Sequence, residues 1–202
     1  MNRQETQAIV LDFLPHGQSS DSRRVPIAQV LGKNNLTLLE VIPKRGVFLE
    51  QEEEVYIGEG ERPKIHHVKG RILLKDLTRT AQDELEDVLN ALVAKEEAKY
   101  LNFYNTSSSV SLRMHKMELL PGIGKKHMIK ILEERRIKPF ESFEDLKQRV
   151  ELLPDPKRAI VQRILEELNE EDKYNLFTQP PMQQDNNTRY GNQKRFDNRR
   201  RY

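Results

Sequence analysis

The chain of 202 residues contains no cysteine and no tryptophan, and only five of its residues are histidine. The lack of cysteine excludes disulfides, thiolate metal ligands and a cysteine nucleophile. The sequence also lacks an apolar run long enough to cross a membrane and the apolar core of a signal peptide. We therefore expect a cytoplasmic protein with no membrane partner, and we expect no metal or other cofactor.

Catalytic patterns are missing as well. The sequence contains no Walker, Rossmann or nucleophile-elbow motif, and none of its acidic stretches predicts a pair of residues for acid/base chemistry. His66 and His67 are adjacent on a predicted strand, where neighbouring side chains point to opposite faces, so they are poorly placed to hold one metal. These observations predict a binding protein and not an enzyme.

Charge is balanced over the whole chain, with 34 basic and 32 acidic residues. The balance hides an asymmetry, because six basic and two acidic residues lie between Thr178 and Tyr202. That segment carries a net charge of +4, which leaves −2 for residues 1–177. The main body is therefore not a generally basic nucleic-acid binder, and any binding by it must come from a local patch.

Residues 1–78 contain short apolar runs separated by proline and glycine. The runs are residues 7–14, 36–42, 55–58 and 68–74. Short strands with this punctuation predict a small OB-like β-barrel.

Residues 79–105 predict a linking helix. Thr80-Ala81-Gln82-Asp83 is typical of a capping box. Apolar residues then recur at helical spacing, and the aromatic residues at the end of this segment are expected in a core or seam more than on nucleobases. The apolar face is Leu85, Val88, Leu89, Leu92 and Val93, and the aromatic residues are Tyr100, Phe103 and Tyr104.

The segment Leu119-Leu120-Pro121-Gly122-Ile123-Gly124-Lys125-Lys126, here called the first turn (residues 119–126), is typical of a helix-hairpin-helix motif. Two glycines allow a tight turn and close backbone approach, and the following helix starts with unpaired N–H groups that hold phosphate. The two lysines add positive charge, and contacts of this kind hold a backbone without reading bases. The alternative is an ordinary helical turn with surface lysines.

Flanking patterns support the motif. Val110, Met114, Met117 and Leu120 predict a first helix before the turn, with a cap at residues 107–109. Ile123 is expected to fill the gap between the helices. The facing stripe of the second helix is Met128, Ile131 and Leu132, where Met128 replaces the small residue usual in such motifs.

A weak repeat follows the first turn. Leu152-Leu153-Pro154-Asp155-Pro156-Lys157-Arg158, the second turn (residues 152–158), matches the first turn without its glycines. Ser142-Phe143-Glu144-Asp145 predicts the start of the helix before it. Residues 106–170 are therefore predicted as a tandem helix-hairpin-helix domain, in which the second copy is structural because Pro156 lacks an N–H group.

Residues 171–202 are predicted as a disordered, polar and basic tail. From Thr178 the segment has almost no aliphatic residues and cannot bury enough surface to fold. Its arginines alternate with Tyr190, Phe196 and Tyr202, which favours weak RNA affinity or no specific role in equal measure.

Five segments resemble an uncharacterised prokaryotic family of predicted RNA- or nucleotide-binding proteins. They are residues 112–128, 38–44, 55–58, 77–78 and 139–145, and the resemblance runs from about Thr6 to about Leu168. It implies an OB-like domain followed by a tandem helix-hairpin-helix unit, which is an α+β fold, and it implies a binding function.

We therefore predict non-enzymatic nucleic-acid binding, with RNA favoured over DNA. Arg113 and His115 either extend the phosphate-binding surface or fix the first helix to the barrel. The alternatives are binding of DNA structures in repair or recombination, and a protein-interaction module; the sequence leaves the oligomeric state open. The predicted nucleic-acid-binding residues are Gly122, Ile123, Gly124, Lys125, Lys126, Arg113, His115, Arg195, Arg199, Arg200 and Arg201.

Overall fold

The computed structural model describes residues 4–17, 25–111, 114–169 and 174–179. The fold is α+β, as predicted, with a curled antiparallel sheet followed by helices. No helix within these four ranges is long and apolar enough to cross a membrane.

Five strands form the sheet. The strand order is β4-β1-β2-β3-β5, every neighbouring pair is antiparallel, and β4 and β5 are the edges of a half-barrel. Register shifts in β1 and β5 bend the sheet, as bulges do. The strands are β1 (Gln7–Leu14), β2 (Ile27–Gly32), β3 (Leu38–Pro43), β4 (Glu54–Tyr56) and β5 (Ile65–Arg71).

Four of these strands overlap the predicted runs, which confirms them, and β2 was not predicted. All six residues of β2 are buried, including Gln29, whose amide bonds the backbone of Asp76 and Thr78. A polar residue in the middle of a strand weakens the apolar pattern, although here both the amide nitrogen and the amide oxygen of Gln29 form a hydrogen bond.

The three central strands, β1 to β3, have buried residues on both faces. Alternate residues of a strand point to opposite sides, so one set packs on the helices and the other lies inside the curled sheet. The first set is Ile9, Leu11, Leu31, Leu36 and Leu38, and the second includes Ala8, Val10, Val30, Leu39 and Val41.

Helix α1 (Arg79–Lys95) packs directly on the sheet, and its apolar face is buried as predicted. Its cap is Thr78, not Thr80, because the sheet fixes Thr78 in place. The hydroxyl of Thr78 accepts the N–H of Ala81 at 3.0 Å and donates to Asp12 at 2.6 Å. The helix is therefore part of the shared core, and the predicted capping box at Thr80 is wrong.

A second helix, α2 (Glu97–Thr106), follows after a break at Glu96. The predicted linking helix is thus two helices. Tyr100 and Tyr104 are buried and Phe103 is half-buried, which confirms the prediction that these aromatic residues belong to the core.

The predicted first helix before the first turn is absent among the described residues. Strands β6 (Ser109–Ser111) and β7 (Met114–His115) pair with each other, and one 3-10 turn covers Lys116–Leu119. Ser107 ends α2 and does not begin a helix. The serine run has little helix propensity, and the ring of His115 accepts the N–H of Met117, which stabilises the 3-10 turn.

Three further helices complete the body: α3 (Lys125–Ile137), α4 (Phe143–Arg149) and α5 (Pro156–Leu168). The hydroxyl of Ser142 accepts the N–H of Asp145 at 3.0 Å, which confirms the predicted start of α4. Leu146 and Val150 are buried beside it.

The folded body continues past the predicted boundary at residue 170. Residues 174–179 form a C-terminal strap that lies against α5 and reaches the sheet. The buried carboxylate of Glu167 accepts the N–H groups of Leu176, Phe177 and Thr178 at 2.7–3.0 Å. The N–H of Gln179 donates to Asn35. The sequence boundary was too early because these polar contacts are non-local.

Candidate nucleic-acid interface

The first turn reverses the chain over four residues. The N–H of Ile123 donates to the carbonyl of Leu120 at 3.0 Å, with Pro121 and Gly122 between them. Gly122 has a φ of 79°, which the third position of a type II turn requires and glycine adopts without strain. Proline at the second position has its φ already fixed for this turn.

Helix α3 starts at Gly124 without a side-chain cap. Its first helical hydrogen bond runs from Met128 N–H to the carbonyl of Gly124 at 3.0 Å. The N–H groups of Lys125, Lys126 and His127 therefore have no partner within the helix. A Cβ built on Gly124 meets no atom within 4 Å, so a ligand can approach this backbone closely.

Lys125 and Lys126 are exposed at this helix end. Neither side chain forms an ion pair with any residue in the four described ranges. The first helical turn of α3 also contains no acidic residue. The positive helix end and two free ammonium groups thus coincide on the surface.

The second turn ends differently. The carboxylate of Asp155 accepts the N–H of Arg158 at 2.9 Å and so caps α5, and Pro156 is the first residue of that helix. A carboxylate already occupies the position that an external anion would take, and the N–H of one residue is missing. The start of α5 is therefore capped from within the chain, and the structural role of the second turn stays a prediction.

The two turns touch each other. A Cβ on Gly122 would lie 3.1 Å from Cγ of Pro154, which is tighter than an ordinary contact. Ile123 is buried beside this junction, and Met128 packs half-buried against the same core. Because the predicted first helix is absent among the described residues, Ile123 does not fill a gap between two helices as predicted. The two turns therefore lie against each other at Gly122 and Pro154.

An open cleft lies behind the first turn. It is lined by residues 118–124 together with Arg163 and Glu166. Glu118 and Glu166 oppose an anion there, while the guanidinium of Arg163 is held by Glu166 and Glu167. Electrostatic interactions thus favour an anion at the exposed N-terminal end of α3 and disfavour one beside the two carboxylates of the cleft.

His115 lies inside the fold and not on the predicted phosphate-binding surface. It is buried, and its Nδ1 accepts the N–H of Met117 at 3.2 Å. Burial lowers the pKa of His115, and the positive charge of Arg135 lowers it further, against the opposing effect of Glu118. Its role is to fix the 3-10 turn.

Five predicted residues lie outside the described ranges. They are Arg113 and the tail arginines Arg195, Arg199, Arg200 and Arg201.

Sequence reasoning missed two features of the second turn. One is the Asp155 cap, although aspartate directly before proline is a recognisable helix start. The other is Leu152, a fully exposed apolar residue with a φ of 57°, for which the sequence gives no signal.

The histidine pair on β5 differs from its prediction. A register shift between Ile42 and Pro43 leaves His66 as an extra residue, and the rings of His66 and His67 come together. Their Nδ1 atoms are 2.7 Å apart, so the expected opposite orientation is wrong. No group of three potential metal ligands occurs within the ranges given above, and the pair has no third ligand there.

The middle of the sheet offers no free surface. OB-type proteins bind ligands on the face of the second and third strands. Here β2 is buried throughout, and β3 has one half-buried residue, Ile42. The exposed parts of the sheet are the edge strand β5 and the loops, where Phe48 is 67% exposed.

Comparison with known proteins agrees on one family. The family model described as "Protein of unknown function (DUF655)" matches residues 4–179. An uncharacterized protein of Methanocaldococcus jannaschii is 45% identical over 175 residues, which cover 86% of this chain and 79% of that protein. A crystal structure from Archaeoglobus fulgidus, described with the same family, has a TM-score of 0.80 and 46% identity over 87% of this chain and all of the other. The chain therefore belongs to DUF655, a family of proteins of unknown function.

Proposed function

We propose that this protein is a non-enzymatic nucleic-acid-binding protein in which the first turn holds the phosphate backbone. The observation that carries the proposal is the start of α3. This helix begins at a glycine without a side-chain cap and presents Lys125 and Lys126 without ion-pair partners in the described ranges. Unpaired N–H groups, a positive helix end and two free cations together suit a phosphate.

The contacts would divide between backbone and side chains. The N–H groups of residues 125–127 would donate to phosphate oxygens, which approach closely because Gly124 has no side chain. Lys125 and Lys126 would add charge and release counterions from the nucleic acid. Such contacts position a strand and do not specify its sequence.

The open shape of the site favours a polymer over a small phosphate. The helix end lies on the surface, and the cleft behind it carries the carboxylates of Glu118 and Glu166. A small phosphate ligand usually needs an enclosing pocket of donors, whereas a backbone needs an accessible one. A polymer also bridges neighbouring surfaces, which here include the second turn.

We favour RNA over DNA because of the family resemblance, which implies RNA or nucleotide binding. Within this proposal, the half-barrel is an OB-like module and the two turns are a tandem helix-hairpin-helix unit whose first helix is reduced to a 3-10 turn. The same layout also suits branched DNA, since two neighbouring turns can contact two strands. The two turns meet at Gly122 and Pro154, which supports DNA-structure binding as the second candidate.

The test is fluorescence anisotropy with single-stranded RNA, duplex RNA, duplex DNA and a four-way DNA junction over a salt series. Replacing Lys125 and Lys126 by alanine should lower the affinity at least about tenfold and reduce the salt slope by about 1.4–1.8, the value for two lost contacts. The matched control replaces Lys157 and Arg158, the last two residues of the second turn, and should change the affinity less than about threefold.

A folded Lys125→Ala/Lys126→Ala variant that binds as tightly as the wild type would exclude the first turn as the binding site. Replacing Arg195, Arg199, Arg200 and Arg201 by serine in the full chain separates the tail from the body. Loss of all binding in that variant would transfer the function to the tail. No binding by the wild type would favour the protein-interaction alternative.

A further inference from the structure

Leu152 combines exposure and strain at one position. The residue is 93% exposed, and its φ is 57°. It occupies the third position of a turn in which Leu153 N–H bonds the carbonyl of Val150 at 3.4 Å. Glycine and asparagine adopt this left-handed conformation easily, whereas leucine does so at a cost.

The fold does not need this side chain. Val150 is buried and Leu153 packs half-buried on the core, so these two residues anchor the turn from either side. Leu152 itself points into solvent. Neither packing nor backbone geometry favours leucine here. An exposed residue in a costly backbone conformation is a candidate for a functional role.

The position of Leu152 identifies what it would meet. Pro154, two residues further, lies against Gly122 of the first turn. Two residues of extended chain span at most about 7 Å, so the backbone of Leu152 lies within about that distance of Pro154, where the two turns meet. A polymer held at residues 124–126 would reach this side chain if it continued across the contact between Gly122 and Pro154.

We propose that Leu152 is a base-contacting wedge that inserts at an unstacked step of the bound nucleic acid. The inference rests on the proposed function and deepens it, because it specifies the ligand as a strand with an interrupted base stack, such as a bulge or a junction between single strand and duplex. An uncharged apolar side chain gains nothing from a phosphate, and the faces of the bases are the apolar surfaces of a nucleic acid. Apolar wedges of this type insert where stacking is already weak.

A matched control exists on α3. Ile137 is also apolar and 79% exposed, and it is the last residue of that helix. Thirteen helical residues place it roughly 18–20 Å from the first turn. Its replacement removes a similar exposed side chain away from the proposed contact.

The experiment uses the full chain with Leu152→Asn and Ile137→Asn. Asparagine tolerates the left-handed conformation, so Leu152→Asn should not lower Tm. The probes are a bulged and a continuous duplex, each as RNA and as DNA, with 2-aminopurine beside the bulge or at the same place in the continuous duplex. Wild type and Ile137→Asn should raise the fluorescence of the bulged probe, which reports unstacking. Leu152→Asn should lose most of this rise and bind the bulged probe about fivefold more weakly, with less than about twofold change on the continuous duplex.

The outcomes separate the two proposals. If wild type binds all probes through Lys125 and Lys126 but Leu152→Asn retains the fluorescence rise, the wedge is refuted and the phosphate site stands. An equal loss of affinity on both duplexes also refutes the wedge, since it indicates a contact that ignores stacking. If the lysine variant binds normally, the proposed function itself fails. The RNA and DNA arms identify which polymer carries the effect.

Discussion

In the first turn, α3 starts at Gly124 without a side-chain cap, whereas in the second turn the carboxylate of Asp155 caps α5. Both helix ends have the same electrostatic need, because their first N–H groups lack helical partners. In the second turn, the carboxylate of Asp155 accepts one of these N–H groups. In the first turn, only solvent or a ligand can accept them.

The difference between the two helix starts is therefore one of capping, because α5 has a carboxylate cap and α3 has none. The carboxylate oxygen Oδ1 of Asp155 accepts the N–H of Arg158 at 2.9 Å. A phosphate bound to α3 would accept the first N–H groups of that helix in the same way. The basic residues at the two helix starts therefore differ in their surroundings. Lys125 and Lys126 lie at the start of α3, which has no side-chain cap, while Lys157 and Arg158 lie at the start of α5, which the carboxylate of Asp155 caps.

Crowding the contact between the two turns should have the largest effect on stability. Gly122→Ala introduces a side chain at a φ of 79° and 3.1 Å from Pro154. We expect a loss of about 2–3 kcal/mol in the free energy of unfolding, or roughly 4–12 °C in Tm. Thermal unfolding followed by circular dichroism measures it.

Gly46→Ala provides the matched control for this change. Gly46 has the same φ of 79°, but a Cβ there meets nothing within 4 Å. Its replacement should cost about 1–2 kcal/mol from the backbone alone. Equal losses in the two variants would show that the contact with Pro154 contributes nothing.

Placing an aspartate cap on the first turn, as the second turn has, should have the next largest effect on stability. Gly124→Asp fits sterically and places a carboxylate at the N-cap of α3. We expect the free energy of unfolding to rise by about 0.3–1 kcal/mol, while nucleic-acid affinity falls at least about tenfold. Thermal unfolding and anisotropy measure the two quantities on one sample.

Gly124→Asn separates capping from charge in that experiment. Asparagine caps a helix as well as aspartate but carries no charge, so its affinity should lie between those of the wild type and Gly124→Asp. Wild-type affinity in a stabilised Gly124→Asp variant would contradict a phosphate at this helix end.

Local patterns predicted the regular parts of the fold and the open helix end. The strand around Val10 and the helix around Leu89 follow from apolar spacing, and the uncapped start at Gly124 follows from the two glycines. These features depend on residues within one turn or strand of each other. They are therefore visible in the sequence.

Non-local contacts decided what the sequence did not predict. Apolar spacing before the first turn indicated a helix, but His115 and the β6–β7 pairing formed a strand and a 3-10 turn instead. The strap depends on the carboxylate of Glu167, which accepts N–H groups ten residues later. The sequence does not distinguish Leu152 from Leu153, because both are leucines at adjacent positions. In the structure Leu153 packs on the core and Leu152 is exposed.

The elements that lead into the two turns should also differ in their response to pH, which is the smallest effect. His115 caps the 3-10 turn before the first turn, and Ser142 caps α4 before the second. Burial, followed by the charge of Arg135, lowers the pKa of His115 in the folded state. The unfolded chain therefore takes up this proton first as the pH falls below about 6.5, and stability decreases. The contribution is complete above that pH and is lost progressively below it.

His115→Asn keeps an acceptor for the N–H of Met117 and removes the titration. We expect it to flatten the decrease in the free energy of unfolding between about pH 7 and pH 5, by a fraction of the roughly 1.4 kcal/mol per pH unit that one whole proton would give. Urea unfolding across this pH range measures the slope. Ser142→Ala should instead lower stability by about 1 kcal/mol at every pH without changing the slope. If His115→Asn keeps the wild-type slope, acid sensitivity does not arise in the segment before the first turn, and the two leading elements differ in geometry alone.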